Sequence, residues 1–131
     1  MDKDGWYYNM ATIIDGDSGG TAVTTATQNS KGLGDSQTWQ DVTGSRVFGT
    51  TYTNTTGRPI AVAASFGLNN FANYYIRMDI DGLLITEDSG SANTDGSLKG
   101  NVFGVVPNGS TYKVYQSGGS LTGGSIWMEL R

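Results

Sequence analysis

Glycine interrupts almost every stretch of this 131-residue chain that could otherwise wind into a helix, at 20 positions in all. Each glycine inside a helix costs about 1 kcal/mol relative to alanine, and no three-turn stretch carries apolar side chains at helical spacing. Strand signals recur instead, at intervals of about ten residues. The clearest runs from Asn73 to Glu87, where Ile76, Met78 and Ile80 alternate with Arg77 and Asp79. Asp81-Gly82 then supplies a two-residue hairpin turn. That turn predicts Ile80 opposite Leu83 and Met78 opposite Ile85 on one side, with Arg77 and Thr86 on the other.

A second hairpin is predicted from Val102 to Tyr115, turning at Pro107-Asn108-Gly109-Ser110. Proline presets one turn dihedral there, and Asn-Gly tolerates positive φ. Pro59 to Phe66 reads as a strand with Ile60, Val62, Ala64 and Phe66 on one face, preceded by a strand from about Arg46 to Asn54. The end of the chain sets Ile126, Met128 and Leu130 against Trp127 and Glu129. Trp6 to Ile14, Thr21 to Gln28 and Gln37 to Thr43 are further strand candidates. Asp88 to Gly100 and Gln116 to Gly124 read as long polar loops. The expected fold is all-β, an antiparallel β-sandwich or jelly-roll-like barrel of eight to nine short strands. One domain covers residues 1–131, with a Gly/Ser/Thr-rich part over 1–36 and the main body over 37–131.

Charged residues make up 15% of the chain, against about 25% in an average soluble domain. A polar but weakly charged surface suits a chain whose faces meet copies of itself. The net charge is −4, and the eight basic residues are scattered singly. Without a basic stripe to displace counterions, nucleic acid is not an expected partner. No apolar run approaches the roughly 18 residues of a membrane span, so membrane insertion is not expected either. The start, Met1-Asp2-Lys3-Asp4, lacks the basic-then-apolar pattern of a secretory signal. Cysteine is absent, which removes disulfides and thiolate metal sites.

Several motifs suggest chemistry and fall to simpler readings. Gly16-Asp17-Ser18-Gly19-Gly20 spells the nucleophile motif of trypsin-like proteases, but the chain has no histidine to serve as base. Asp15, Asp17 and Gly20 match the start of an EF-hand loop whose bidentate Glu is replaced by Ala26. Asp79 and Asp81 bring two carboxylates to one strand end, where the hairpin turn already explains Asp81. Only two of twelve acidic residues are Glu, and none is paired in sequence with an aromatic cluster as a glycosidase groove would want. No catalytic residue, metal site or cofactor is expected.

The aromatic residues carry more information. Tyr52, Phe66, Phe103 and Tyr112 sit at alternating strand positions and are expected in the core. The segment Gly67 to Tyr75 joins two strands, and loops on a rigid sheet are where recognition concentrates. Asn69, Asn70, Phe71, Asn73 and Tyr74 are therefore the candidate receptor-binding residues, offering amides and stacking faces. Phe71 suits equally well a plug for the end of the core.

A set of ordered motifs then resembles a known family. Trp39-Gln40-Asp41-Val42-Thr43 through Arg46 reads W-x-D-V-T-x-x-R, and Gly49 to Ile60 reads G-x-x-Y-x-N-x-T-G-x-P-I. Asp81-Gly82, Val106-Pro107-Asn108-Gly109-Ser110-Thr111-Tyr112 and Trp127-Met128-Glu129-Leu130-Arg131 follow in order. Together, over residues 37–131, they resemble the C-terminal domains of bacteriophage tail fibres and related virion surface proteins. The resemblance implies a β-sandwich that forms a homotrimer, with Trp127 and Leu130 near subunit contacts, in a virion made in the bacterial cytoplasm. The resemblance leaves receptor binding open; the leading reading is a tail-fibre tip that binds a host surface receptor, either a bacterial surface glycan or an outer-membrane protein. The alternative is a capsid or tail decoration or capping protein, bound to other virion proteins and without a ligand of its own.

Overall fold

The apolar alternation of the sequence becomes eight strands in a computed structural model, which describes residues 32–69, 73–91, 98–118 and 120–131. They are β1 Trp39–Asp41, β2 Thr51–Thr53, β3 Ile60–Asn69, β4 Asn73–Ile80, β5 Leu83–Ser91, β6 Leu98–Val106, β7 Thr111–Ser117 and β8 Ser120–Leu130. A 3-10 turn, Thr43–Ser45, follows β1. Every pairing is antiparallel. The strands make two four-stranded sheets, β1-β8-β3-β6 (sheet A) and β2-β7-β4-β5 (sheet B). Gly32–Arg131 forms one compact unit. Trp6 to Ile14, Thr21 to Gln28 and the Gly16 to Gly20 motif lie outside the described residues.

One hydrophobic cluster draws on both sheets. From β3 come Ile60, Val62, Ala64 and Phe66, all buried on one face as their spacing requires. From β4 come Tyr74, Ile76, Met78 and Ile80, and from β7 Tyr112 and Val114. Trp127 of β8 completes it, with the ring of Phe48 stacked 5.4 Å away.

The Asp81-Gly82 turn takes positive φ at both residues, 51° and 79°, as a primed hairpin turn requires. Ile80 pairs with Leu83 as predicted, but Met78 pairs with Thr86 rather than Ile85. A bulge on β5 inserts one residue between these pairs. Leu83, Leu84 and Ile85 are all exposed along this strand at the edge of sheet B.

Four further expectations are corrected. The Pro107–Ser110 turn does not close a hairpin, because β6 pairs with β3 in sheet A while β7 pairs with β2 and β4 in sheet B. The strand predicted over Arg46 to Asn54 shrinks to Thr51–Thr53. Most of the described residues of the two polar "loops" are strand: β5 runs to Ser91 and β6 starts at Leu98, while β7 runs to Ser117 and β8 starts at Ser120, with residues 92–97 and 119 outside the described residues. Their residues have weak strand propensity, and the pairing is imposed by the strands they lie beside. Phe103 is not in the core but 54% exposed, because Val102, Gly104 and Val106 take the inward positions of β6.

Candidate functional site

The residues that carried the tail-fibre resemblance meet each other in space. Arg46, just after the 3-10 turn, reaches Glu129 on β8: Nε donates to Oε1 at 2.8 Å and Nη2 to Oε2 at 2.9 Å. The Tyr112 hydroxyl donates to the same carboxylate at 2.7 Å, and Arg131 lies 3.4 Å from it. Glu129 is fully buried. Burial pushes its carboxyl up, but the hydrogen bonds from Arg46 and Tyr112 and the charges of Arg46 and Arg131 outweigh this and hold it below the ordinary carboxylate range. Burial, with the hydrogen bond to Glu129 second, pushes Tyr112 up to about 12. The Arg46 guanidinium also lies 4.6 Å over the ring of Tyr52.

Asn54 makes a second junction. Fully buried, its Nδ2 donates to the carbonyls of Arg58, Val106 and Pro107, and its Oδ1 accepts from the amide and hydroxyl of Thr56. It ties the β2–β3 link to the β6–β7 turn, and Asn108 adds a bond by accepting from the Gly57 amide at 3.1 Å. In a third junction, Asp81 accepts from the Thr111 amide at 2.9 Å, which holds its carboxyl below the usual range. All three junctions are structural. They shape and join loops.

What remains for function is the outward faces. In sheet A the cross-strand rows run Trp39, Leu130, Ala61, Val105 and then Asp41, Met128, Ala63, Phe103. Ser65 and Ile126 stand opposite each other in the next row. Trp39 is 50% exposed, Phe103 54%, Val105 43% and Ile126 52%. An antiparallel sheet with one wet face normally alternates apolar with polar side chains. Here the middle of the outward face is apolar as well, and the polar residues Asn101 and Lys99 of β6 lie toward one end of it. A depression of about 440 Å³ opens here, lined among others by Ala63, Ser65, Phe103, Ile126 and Met128.

Sheet B presents the opposite character. Its outward positions are Asn73, Tyr75, Arg77 and Asp79 on β4, and Thr111, Lys113, Tyr115 and Ser117 on β7. Arg77 pairs with Glu87 at 2.6 Å and lies 5.0 Å over the ring of Tyr75.

The residues singled out from sequence do not converge. Asn69 ends β3, with its backbone opposite Ser120. Asn70 and Phe71 lie outside the described residues. Asn73 is exposed at the start of β4. Tyr74 is buried in the core, so it offers a receptor no face. Trp127 is 1% exposed within its own chain, which leaves it no surface for a second subunit. Leu130 is half-buried on the outward face of sheet A, beside Trp39 and Ala61. The sequence reading missed Phe103, Val105, Ile126 and Met128 as a surface. The available signal was β6 itself, where Val102-Phe103-Gly104-Val105-Val106 reads as apolar on both sides.

Among the described residues, no three His, Cys, Asp or Glu side chains gather as a metal site requires. No family model matches the chain, and no curated protein matches it.

Proposed function

We propose that the chain is a surface module of a bacteriophage virion, a homotrimeric tail-fibre tip that attaches to the host surface. The observation that carries this reading is the exposed apolar face of sheet A. Contiguous apolar surface rimmed by polar residues marks a protein contact. Its apolar centre holds no charge, with Asp41 at one margin and Lys99 at another, so a second copy meets that centre without burying a charge. Copies of this chain are its occupant, and Leu130 keeps the place at the subunit contact that Trp127 loses to the core.

The two sheets are read as packed face to face in a jelly-roll sandwich. The orders β1-β8-β3-β6 and β2-β7-β4-β5, and the core residues drawn from both sheets, support that architecture. Trimeric display adds weak contacts into useful avidity at a bacterial surface. One observation favours a second reading, a decoration or capping protein without a ligand: Arg46, Asn54, Asp81 and Glu129, the polar residues of the family-like motifs, all serve the scaffold. Labelled protein mixed with host cells separates the two. Saturable adhesion supports the tip, and trimers without adhesion support the cap.

A further inference from the structure

We propose that the outward face of sheet B holds a carbohydrate-binding cup at Asp79 and Lys113, for the adjacent hydroxyls of a hexopyranose ring. The inference deepens the host-attachment reading by naming a ligand class. Its geometry stands on sheet B alone.

Asp79 and Lys113 face each other on β4 and β7, and Thr51 of β2 continues the row. A depression of about 160 Å³ opens here, lined by Thr51, Asp79, Gly82, Thr111, Tyr112 and Lys113. Asp79 Oδ2 and Lys113 Nζ stand 4.0 Å apart. A direct charge-assisted bond closes to about 2.7–2.9 Å. One row along the same sheet Arg77 and Glu87 do close, to 2.6 Å, so neither the sheet nor the strand spacing forbids it. A hydroxyl group placed between carboxylate and ammonium donates to the first and accepts from the second. Two such hydroxyls on neighbouring carbons are what a pyranose presents.

The surroundings suit the rest of a sugar. The Tyr115 hydroxyl donates to Asp79 Oδ1 at 3.2 Å, and Lys113 Nζ lies 4.6 Å over the Tyr115 ring. Tyr115 thereby holds both charged groups of the cup in place, its hydroxyl on the carboxylate and its ring under the ammonium. Thr51 adds a hydroxyl that can donate and accept, and the Thr111 hydroxyl, which donates to Asp81 at 3.4 Å, keeps lone pairs to accept. Asp81, two residues from Asp79, is already engaged by the Thr111 amide, which leaves Asp79 as the carboxylate of the cup.

The test uses the whole chain, labelled with ¹⁵N and titrated with the methyl glycosides of glucose, mannose and galactose. These present both cis and trans adjacent diols. The expected result is saturable movement of the Thr51, Asp79, Thr111 and Lys113 amides by at least one of them. Asp79→Asn should weaken that binding tenfold or more, and Lys113→Met should do the same from an independent position. Dextran and mannan at equal sugar concentration separate the sources: tighter binding by a polymer points to a surface polysaccharide, equal binding to a free sugar. Absence of saturable shifts with all three glycosides overturns the proposal, as does binding that survives in both variants. A null titration on an intact trimer would remove the cup and leave the assembly reading standing.

Discussion

Arg46 and Glu129 lie 83 residues apart in sequence and form a two-pronged ion pair at 2.8 and 2.9 Å, with the carboxylate fully buried. Both bonds are charge-assisted, and the Tyr112 hydroxyl adds a third. The pair closes the 3-10 turn against β8 and places an ionic group among apolar neighbours. Removing Arg46 would leave the buried carboxylate with the Tyr112 hydroxyl and the more distant Arg131 in place of its two closest charged bonds.

Arg46→Ala should therefore destabilise the fold by about 3–5 kcal/mol, read as a fall in the urea midpoint. Arg46→Lys should recover only part of it, because lysine cannot supply the two-pronged geometry. An unchanged midpoint for Arg46→Ala would show that the pair contributes nothing.

The same group sets the pH limits of stability. The folded carboxyl of Glu129 lies below its ordinary value of 4.5, so its contribution is present above that value. It is lost as pH falls through the folded value. Tyr112 is raised from 10.0 to about 12, so its contribution is present below pH 10 and is lost as pH rises toward 12. Thermal unfolding across pH should show both limbs. Glu129→Gln should flatten the acid limb, and Tyr112→Phe the alkaline one.

Asn54→Asp tests the loop junction. The Nδ2 that donates to three carbonyls becomes an oxygen facing them, and repulsion replaces hydrogen bonds in a fully buried site. A loss of about 2 kcal/mol or more is expected. Asn108→Ala, which removes one exposed bond to Gly57, should cost less than about 1 kcal/mol. Comparing the two denaturation midpoints checks the order.

At the β4–β5 turn, Gly82 has φ 79° with nothing within 4 Å of where a Cβ would stand. Any penalty there is one of conformation rather than crowding. Gly82→Val should cost at least about 1 kcal/mol, because a β-branched side chain is strained at positive φ. Differential scanning calorimetry should show the drop in melting temperature.

Assembly is checked by mass. Light scattering should give three times 13.9 kDa for the native chain. Phe103→Glu together with Ile126→Glu puts charge on the outward face of sheet A and should yield monomers with nearly native melting temperature. A native chain that stays monomeric at every concentration would sink the trimer.

Local pattern was enough to say which segments extend and which of their residues share a side. Alternation at period two put Ile60, Val62, Ala64 and Phe66 together, and Asp81-Gly82 marked a turn with positive φ at both residues. These are local matters, decided by pleat and dihedral preference within a few residues. Which side faces in and which strands pair depended on contacts between residues far apart in the chain. On β8 the buried side is Trp127 and Glu129, not Ile126, Met128 and Leu130, because Arg46 and Tyr112 wait on that side to neutralise the carboxylate. Phe103 turned outward for a related reason: Gly104 holds the inward place, where an added Cβ would come within 2.8 Å of the Met78 sulfur. The Pro107–Ser110 turn looked like a hairpin and instead passes the chain between sheets. Turn residues specify a reversal but not the partner, and the partner is chosen by burial across residues far apart in the chain.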